Sequence, residues 1–160
     1  MKIGIIDYGS GNLHSVQNAI RQAASVACPN DEIERITSAY NLKSCDRIIL
    51  PGVGHFADCY AGLSAIEGMI DTLNDLVRAQ ARPFLGICVG MQMMADHGLE
   101  HGLTTEGFGW FSGDVVALKP ADGTLKIPHM GWNDLVVDRP HPVLNGLKTG
   151  DHAYFVHSYH

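Results

Sequence analysis

The sequence predicts an α/β protein whose sheet is mostly parallel, with an antiparallel extension. Three observations predict this fold. Short apolar runs alternate with helical patterns over the first half of the chain, as in parallel strands joined by helices. Glycine-rich loops follow two of these runs, where parallel strands end. Beyond Gly107 the texture changes to short β-like segments separated by Gly, Pro and Asp, which indicates antiparallel pairing.

Length and composition bound the class of protein. The chain has 160 residues, of which 46% are hydrophobic and 18% are charged, so we expect a single globular domain over residues 1–160. A net charge of −6 without any Lys/Arg run argues against nucleic-acid binding. No apolar stretch approaches the ~20 residues that span a bilayer, and the N-terminus lacks the features of a signal peptide. We therefore expect no membrane association.

Cysteine and histidine spacing predicts neither disulfides nor a metal site. Four cysteines are scattered without a CxxC pair, which is typical of free thiols in a reducing cytoplasm: Cys28, Cys45, Cys59 and Cys88. His97 and His101 are four residues apart. Because Gly98 and Gly102 weaken any helix there, and no HExxH-type signature joins the pair, we interpret both as exposed loop histidines.

The first strands and helix follow from the apolar pattern. Lys2–Asp7 is a near-continuous apolar run, as expected for a parallel strand covered on both faces. Leu13–Ala24 has helical periodicity. The Gly9–Gly11 loop between them is interpreted as a tight turn, because it lacks both the third glycine of a dinucleotide-binding loop and the lysine of a P-loop. Ile33–Ile36 and Asp46–Leu50 predict the next two strands.

The middle of the chain predicts a long helical region and the end predicts β-structure. Ala57–Ala81 is largely helical with a break near Gly68, and Arg82-Pro83 ends it. Its predicted buried face consists of Leu63, Ile66, Ile70, Leu73 and Val77. Ile127–Gly131 and Ala153–Tyr159 are among the later β-like segments.

Phe84–Gln92 carries the strongest chemical signal. It predicts an apolar strand, a sharp turn at Cys88 and a helix from Val89 onward. Gly-x-Cys-x-Gly is the thiol version of the nucleophile elbow, and amide dipoles at a helix N-terminus favour thiolate over thiol. The alternative is a buried, inert cysteine. Gln92 lies one helical turn beyond Cys88, so its side chain is predicted to point into the same site.

A second glycine-rich loop, Pro51-Gly52-Val53-Gly54, follows the third predicted strand. It has two interpretations, a simple strand-to-helix turn or part of an oxyanion hole. In the second, an amide of Gly52 or Val53 joins that of Val89, the residue after the nucleophile. The loop alone does not choose between them, and its pairing with the elbow favours the oxyanion hole.

These residues resemble a known family. Gly86–Gln92 is similar to the nucleophile motif of class I glutamine amidotransferases, and Pro51–Gly54 looks like their oxyanion strand. Three further segments resemble the glutaminase (HisH) subunits of imidazole glycerol phosphate synthase: Ile5–Leu13, Ile127–Asn133 and Tyr154–Tyr159. The similarity is collinear over essentially the whole chain. It implies a flavodoxin-like three-layer sandwich.

The resemblance also implies an activity. The Cys88 thiolate would attack the carboxamide of glutamine, with the oxyanion held by amides of Val89 and of Gly52–Val53. Ammonia would leave and water would release glutamate from the thioester. The ammonia would pass to a (β/α)₈-barrel cyclase subunit, HisF, in a heterodimer that makes imidazole glycerol phosphate and aminoimidazole carboxamide ribotide in histidine biosynthesis. No cofactor is implied.

Two groups of binding residues follow from the same resemblance. The glutamine head group would be held by Gln92, His157, Ser158 and Tyr159. The partner interface would contain Asn12, Pro128, Met130, Trp132 and Asn133. Exposed Trp and Met fit the composition of interfaces. Taken alone, Trp132 would be interpreted as a core tryptophan, and the surrounding motif reverses that interpretation.

One family motif does not occur. The His-Pro-Glu sequence that supplies the general base and its orienting carboxylate is absent from the 160 residues. His141-Pro142 is followed by Val143 and precedes the aromatic strand, so it does not match. We interpret the chain as a fragment that is incomplete at the C-terminus, the alternative being a degenerate copy. In either case we expect little glutamine turnover from this chain alone.

Three other functions stay open at this point. A different class I amidotransferase subunit, such as that of anthranilate synthase, would share the elbow but not Pro128–Asn133. A non-catalytic subunit that only docks a synthase would explain the missing base. A flavodoxin-like peptidase or chaperone relative would have no reason to carry Pro51–Gly54.

Overall fold

The computed structural model describes residues 1–121 and 123–160 and divides them into two compact units, Met1–Val115 and Val116–His160. The strands are β1 Lys2–Ile6, β2 Glu32–Ile36, β3 Arg47–Gly52, β4 Phe84–Cys88, β5 Ala95–Glu100, β6 Leu103–Glu106, β7 Phe111–Val115, β8 His129–Asp134 and β9 His152–His157. The α-helices are α1 Leu13–Ala27, α2 Ala39–Leu42, α3 Phe56–Ser64, α4 Met69–Leu73 and α5 Val89–Gln92. A π-helical turn spans Asn74–Ala79 and a 3₁₀ turn spans Pro142–Leu144.

The main sheet of the first unit is parallel and has the strand order β2-β1-β3-β4. This is the order found in flavodoxin-like folds, in which ligands bind beyond the carboxyl ends of the strands, where the order of the strands reverses. The loops after β1 and β3 therefore meet at one edge, together with the end of β4. The predicted α/β class is confirmed.

The core of this unit lies on both sides of β1 and β3. Ile5, Ile6 and Leu50 are all 0% exposed, as the near-continuous apolar runs predict. Helix α1 packs the predicted apolar stripe Leu13, Val16 and Ile20 against Ile3, Ile5 and Ile49. The sequence thus predicts both the covered strands and the helical face that covers one side of them.

The long helical region is present, but its buried face differs in part from the prediction. Leu63 and Leu73 are fully buried as predicted, but Met69 and Leu76, which the predicted face does not include, are buried too. Gly68, with φ of 68°, separates α3 from α4, and a π-helical turn follows α4. Each interruption changes the rotation per residue, so a face extrapolated at a constant helical period moves out of phase.

The helix after Cys88 is short. The sequence predicts a helix continuing beyond Gln92, but α5 ends there and the chain enters β5 at Ala95. Strand β5 pairs antiparallel with β6 and parallel with β7 in a separate three-stranded sheet. Gly98 in β5 lies so close to the ring of Phe56 that a Cβ there would meet it at 2.4 Å. Tertiary packing on α3 therefore overrides the helical pattern.

The second unit contains the other antiparallel pair, β8 and β9, in a two-stranded sheet. Met130 pairs with Val156 and Trp132 with Tyr154, and all four side chains are exposed. Beyond β9 the backbone of residues 158–160 hydrogen-bonds to residues 116–118. Across residues 1–121 and 123–160, no helix is both long enough and apolar enough to cross a membrane.

Candidate active site

Cys88 is the last residue of β4, and the first helical residue of α5 follows it. In the parallel register of β3 and β4, Cys88 lies directly opposite Gly52. Its backbone has φ 55° and ψ −119°, a conformation that costs free energy for a residue with a Cβ. The predicted strand, sharp turn and helix are therefore all present, and the turn is strained at Cys88 itself.

The four cysteines, all of which the structure describes, differ in exposure. Cys45 and Cys59 are buried, Cys28 is half-buried and Cys88 is exposed. Burial raises the pKa of the Cys45 thiol, because the thiolate loses hydration there. None of the four forms a disulfide. Cys88 is therefore not the buried thiol of the alternative interpretation.

The two glycines of the elbow are required by close packing. A Cβ on Gly90 would lie 1.9 Å from the carbonyl oxygen of Leu50, and one on Gly86 would lie 2.6 Å from the carbonyl oxygen of Gly90. Both partners are backbone atoms and cannot move aside like a side chain. The motif Gly-x-Cys-x-Gly thus reflects how tightly α5 turns back over the ends of β3 and β4.

The predicted turn Pro51–Gly54 lies beside the elbow, but β3 extends to Gly52, so its first two residues belong to the strand. Pro51 and Gly52 are buried, whereas Val53 is 60% exposed. A Cβ on Gly52 would lie 2.7 Å from the backbone nitrogen of Gly90. The first turn of α5 and the end of β3 are therefore in direct contact, and Val89 is buried behind them.

The backbone of Val53 is held by two side chains from elsewhere in the chain. The Ser10 hydroxyl donates to the Val53 carbonyl at 2.8 Å and accepts from the Val53 N–H at 3.4 Å. The Cys59 thiol donates to the same carbonyl at 3.4 Å. In this conformation the Val53 N–H is engaged with the Ser10 hydroxyl, so it must leave that hydroxyl before it can donate to another group.

Ser10 and Cys59 are not among the predicted site residues. Ser10 lies in the loop after β1, which is a turn as predicted, with positive φ at both flanking glycines. One signal could have indicated it: loops after β1 and β3 meet when these strands are neighbours. No local pattern indicates Cys59, which lies inside α3.

The side chain of Tyr8 also hydrogen-bonds to the Pro51–Gly54 segment. Its hydroxyl donates to the Pro51 carbonyl at 2.9 Å. Burial, and secondarily the Cys59 thiol, raises the pKa of Tyr8 above its ordinary value of 10.0. The hydroxyl therefore stays protonated at neutral pH and keeps its proton for the carbonyl.

The remaining predicted substrate residues are divided between the two units. Gln92 is half-buried at the end of α5. In the second unit, His157 Nδ1 lies 3.0 Å from the Tyr159 carbonyl oxygen and must donate to it, so in a neutral ring Nε2 accepts from His129 Nδ1 at 3.3 Å. Ser158 accepts a backbone hydrogen bond from Leu118.

The predicted interface residues are also divided between the units. Asn12 caps α1, with its side chain accepting from the Ser15 N–H at 3.2 Å. Met130 is 60% and Trp132 is 69% exposed, so Trp132 is not the core tryptophan that its residue type alone would predict. Pro128 and Asn133 are exposed beside them.

The two spaced histidines do not act as a pair. His97 lies in β5, not in the predicted loop, and its Nδ1 is 2.9 Å from a carboxylate oxygen of Asp114. His101 lies in the turn between β5 and β6, and its ring stacks on that of His55 with centroids 5.3 Å apart. Strand pairing places His97 beside Asp114, whereas His101 meets a residue from the start of α3, so the four-residue spacing decides neither neighbour.

Comparison with known proteins agrees with this geometry. Residues 4–160 match the family model described as glutamine amidotransferase class-I. The chain is 52% identical over 162 residues to "Imidazole glycerol phosphate synthase subunit HisH" of Brucella melitensis, covering 99% of this chain and 74% of that protein. The proteins of the same name from Mesorhizobium japonicum and Rhizobium meliloti are each 52% identical over 163 residues, covering 100% of this chain and 75% of theirs.

Proposed function

The chain belongs to the class-I glutamine amidotransferases and, among them, to the HisH subunits of imidazole glycerol phosphate synthase, and from this premise we propose how it acts on glutamine. It is a glutamine amidotransferase subunit of histidine biosynthesis. One observation carries the proposal: Cys88 is exposed at a strained elbow, opposite Gly52 of the neighbouring strand.

Cys88 is the proposed nucleophile. Its sulfur attacks the side-chain carboxamide carbon of glutamine, and the carbonyl oxygen becomes an oxyanion. Backbone N–H groups of Val89 and of the Gly52–Val53 segment stabilise that charge. Collapse of the intermediate breaks the C–N bond, releases ammonia and leaves a glutamyl thioester on Cys88. Water then hydrolyses the thioester to glutamate and frees the thiol.

In the conformation described above, one N–H group of the proposed oxyanion site is already hydrogen-bonded. The Val53 N–H points to Ser10, at 3.4 Å. A rotation of the peptide that precedes Val53 would break this hydrogen bond and free the N–H for the proposed oxyanion. Such a two-state turn would couple hydrolysis to an event elsewhere, since the Val53 N–H must first leave the Ser10 hydroxyl.

Four residues are proposed to hold the substrate: Gln92, His157, Ser158 and Tyr159. Proton transfer from the thiol and to the leaving ammonia needs a general base. The 160 residues contain no His-Pro-Glu sequence, so no histidine of this chain is assigned that role.

The proposed acceptor of the ammonia is a barrel-shaped cyclase subunit of the HisF type. Met130 and Trp132, both strongly exposed, would dock on it with Asn12, Pro128 and Asn133. The heterodimer would act in the cytoplasm and carry the lyase step that yields imidazole glycerol phosphate and aminoimidazole carboxamide ribotide. The HisH names of the relatives favour this assignment over the anthranilate synthase type.

Covalent labelling tests the nucleophile. We expect a chloroketone analogue of glutamine to modify Cys88, as located by peptide mass spectrometry, with glutamine slowing the reaction. Cys88→Ala should abolish the adduct. Cys28→Ala is the control, because that thiol is also free but only half-buried, and the adduct should persist in this variant. Equal labelling of Cys28, or no protection by glutamine, would contradict the proposal and favour a subunit that only docks.

A turnover assay separates the nucleophile from the base. Incubated with a HisF-type subunit, the 160-residue chain should release ammonia from glutamine very slowly, because no His-Pro-Glu motif assists proton transfer. Rapid release that disappears in Cys88→Ala would show that another group of this chain serves as the base.

A further inference from the structure

His55, Glu100 and His101 come together at a place that glutamine hydrolysis does not use. His55 follows Gly54 and precedes the first residue of α3. Glu100 is the last residue of β5, and His101 begins the turn into β6. Each side chain offers one ligand atom, and these atoms all lie within 4.8 Å of one another.

The distances are close to those of a coordination sphere. The His55 Nε2 atom is 3.7 Å from Glu100 Oε2, and the His101 Nε2 atom is 4.0 Å from Glu100 Oε1. Ligands at about 2.0–2.1 Å from a tetrahedral ion stand roughly 3.4 Å apart. Because separations within the cluster reach up to 4.8 Å, closing on one ion requires ligand atoms to approach by up to about 1.4 Å and the His101 ring to turn. The His101 side chain is 72% exposed.

The carboxylate is already oriented by the backbone. Glu100 Oε2 accepts a hydrogen bond from the Phe56 N–H at 2.7 Å, and the Glu100 side chain is only 16% exposed. A carboxylate fixed in this way by a second contact is typical of metal ligands, since the outer contact sets its direction. His55 is held beside it, with a side chain 23% exposed.

We propose that His55, Glu100 and His101 bind one divalent transition-metal ion of the zinc class, with water completing the coordination. Two imidazole nitrogens and one carboxylate suit Zn²⁺, Co²⁺ or Ni²⁺, whereas Mg²⁺ and Ca²⁺ prefer oxygen ligands. The four-residue spacing of His97 and His101 does not predict this site. The histidine that joins His101 here is His55, which is far away in the sequence. The bound ion links His55, which follows the Pro51–Gly54 segment, to His101 in the turn between β5 and β6.

Titration with Co²⁺ and Zn²⁺ tests the site. We expect one ion per chain with a dissociation constant in the micromolar range or below. The visible spectrum of the Co²⁺ form should show d–d bands without a thiolate charge-transfer band, because no cysteine is a ligand. In the nuclear magnetic resonance spectrum of the ¹⁵N-histidine-labelled chain, Zn²⁺ should shift His55 and His101 but not His97.

Two ligand variants and one control variant test the site. Glu100→Gln keeps an oxygen that can accept from Phe56, and His101→Asn changes an exposed ring, so both should fold and both should bind at least tenfold more weakly. His97→Gln, on the same strand, should bind like the parent chain. Circular dichroism checks each fold. Unchanged affinity in both ligand variants, a thiolate band, or no saturable binding below about 1 mM would overturn the proposal.

Discussion

The two units of the molecule differ in how their apolar residues are used. In residues 1–115 the apolar side chains of β1 and β3 are almost completely buried, including Ile5, Ile6 and Leu50 at 0% exposure. In residues 116–160 none of the described side chains is buried. The paired strands β8 and β9 instead expose Trp132 and Tyr154, whose rings lie 5.5 Å apart.

The first unit therefore has the properties of a rigid scaffold, and the second those of a binding surface. The elbow at Cys88 lies on strands held by a core of their own, which is what the nucleophile that we propose there requires. A two-stranded sheet is marginally stable in water, and an apolar aromatic face is typical of an interface. The contrast therefore supports docking through the second unit and chemistry on the first.

The largest expected effect comes from the elbow. Gly90→Ala places a Cβ 1.9 Å from the Leu50 carbonyl oxygen, so we expect the free energy of unfolding to fall by more than about 4 kcal/mol. Gly131→Ala in β8 is the control, because no atom lies within 4 Å of its added Cβ, and its effect should stay within about 0.5 kcal/mol. Urea denaturation measures both, and equal losses would break the contrast.

A core truncation should also exceed a hairpin truncation in its effect on stability. Leu50→Ala removes a side chain that is 0% exposed, and we expect a loss of about 2–5 kcal/mol. Trp132→Ala removes a larger side chain that is 69% exposed, and we expect a loss below about 1 kcal/mol. If the tryptophan proves the costlier of the two in urea denaturation, the second unit has a core of its own.

Binding should show the opposite order. Trp132→Ala should weaken affinity for a HisF-type barrel subunit by roughly 30-fold, because exposed tryptophans at interface centres are common hot spots. Val136→Ala is the matched control, since that apolar side chain is 78% exposed but lies outside β8 and β9. Isothermal titration calorimetry compares the two variants. An unchanged affinity in Trp132→Ala would remove this tryptophan from the interface.

The smallest expected effect is a loss of stability of the first unit at alkaline pH. Burial raises the pKa of Tyr8 above 10.0, so above that pH the unfolded chain loses a proton that the folded chain retains. Stability due to this proton is complete below pH 10.0 and is lost as the pH rises toward the folded-state pKa. Tyr8→Phe should flatten this decline in urea midpoints measured across pH 10.0, and an unchanged decline would contradict the prediction.

Much of the fold and part of the candidate site follow from local patterns. The apolar runs predict β1, β3 and β4, and Gly-x-Cys-x-Gly predicts the bend at Cys88 because only small residues fit beside it. The same logic fails for α5 and β5, where Gly98 packs on Phe56 and the chain turns into a strand. It also misplaces part of the α3–α4 face, since a break at Gly68 and a π-helical turn change the helical phase.

The sequence by itself determined the class of fold, the elbow cysteine and the family, because these depend on neighbouring residues whose backbone preferences are read directly. Tertiary structure alone decided that Gly52 faces Cys88, that Ser10 holds the Val53 amide, and that His55 meets Glu100. Such contacts join residues far apart in the chain. These contacts depend on the order and register of the strands. Strand order and register are in turn determined by the free energy of packing the whole unit.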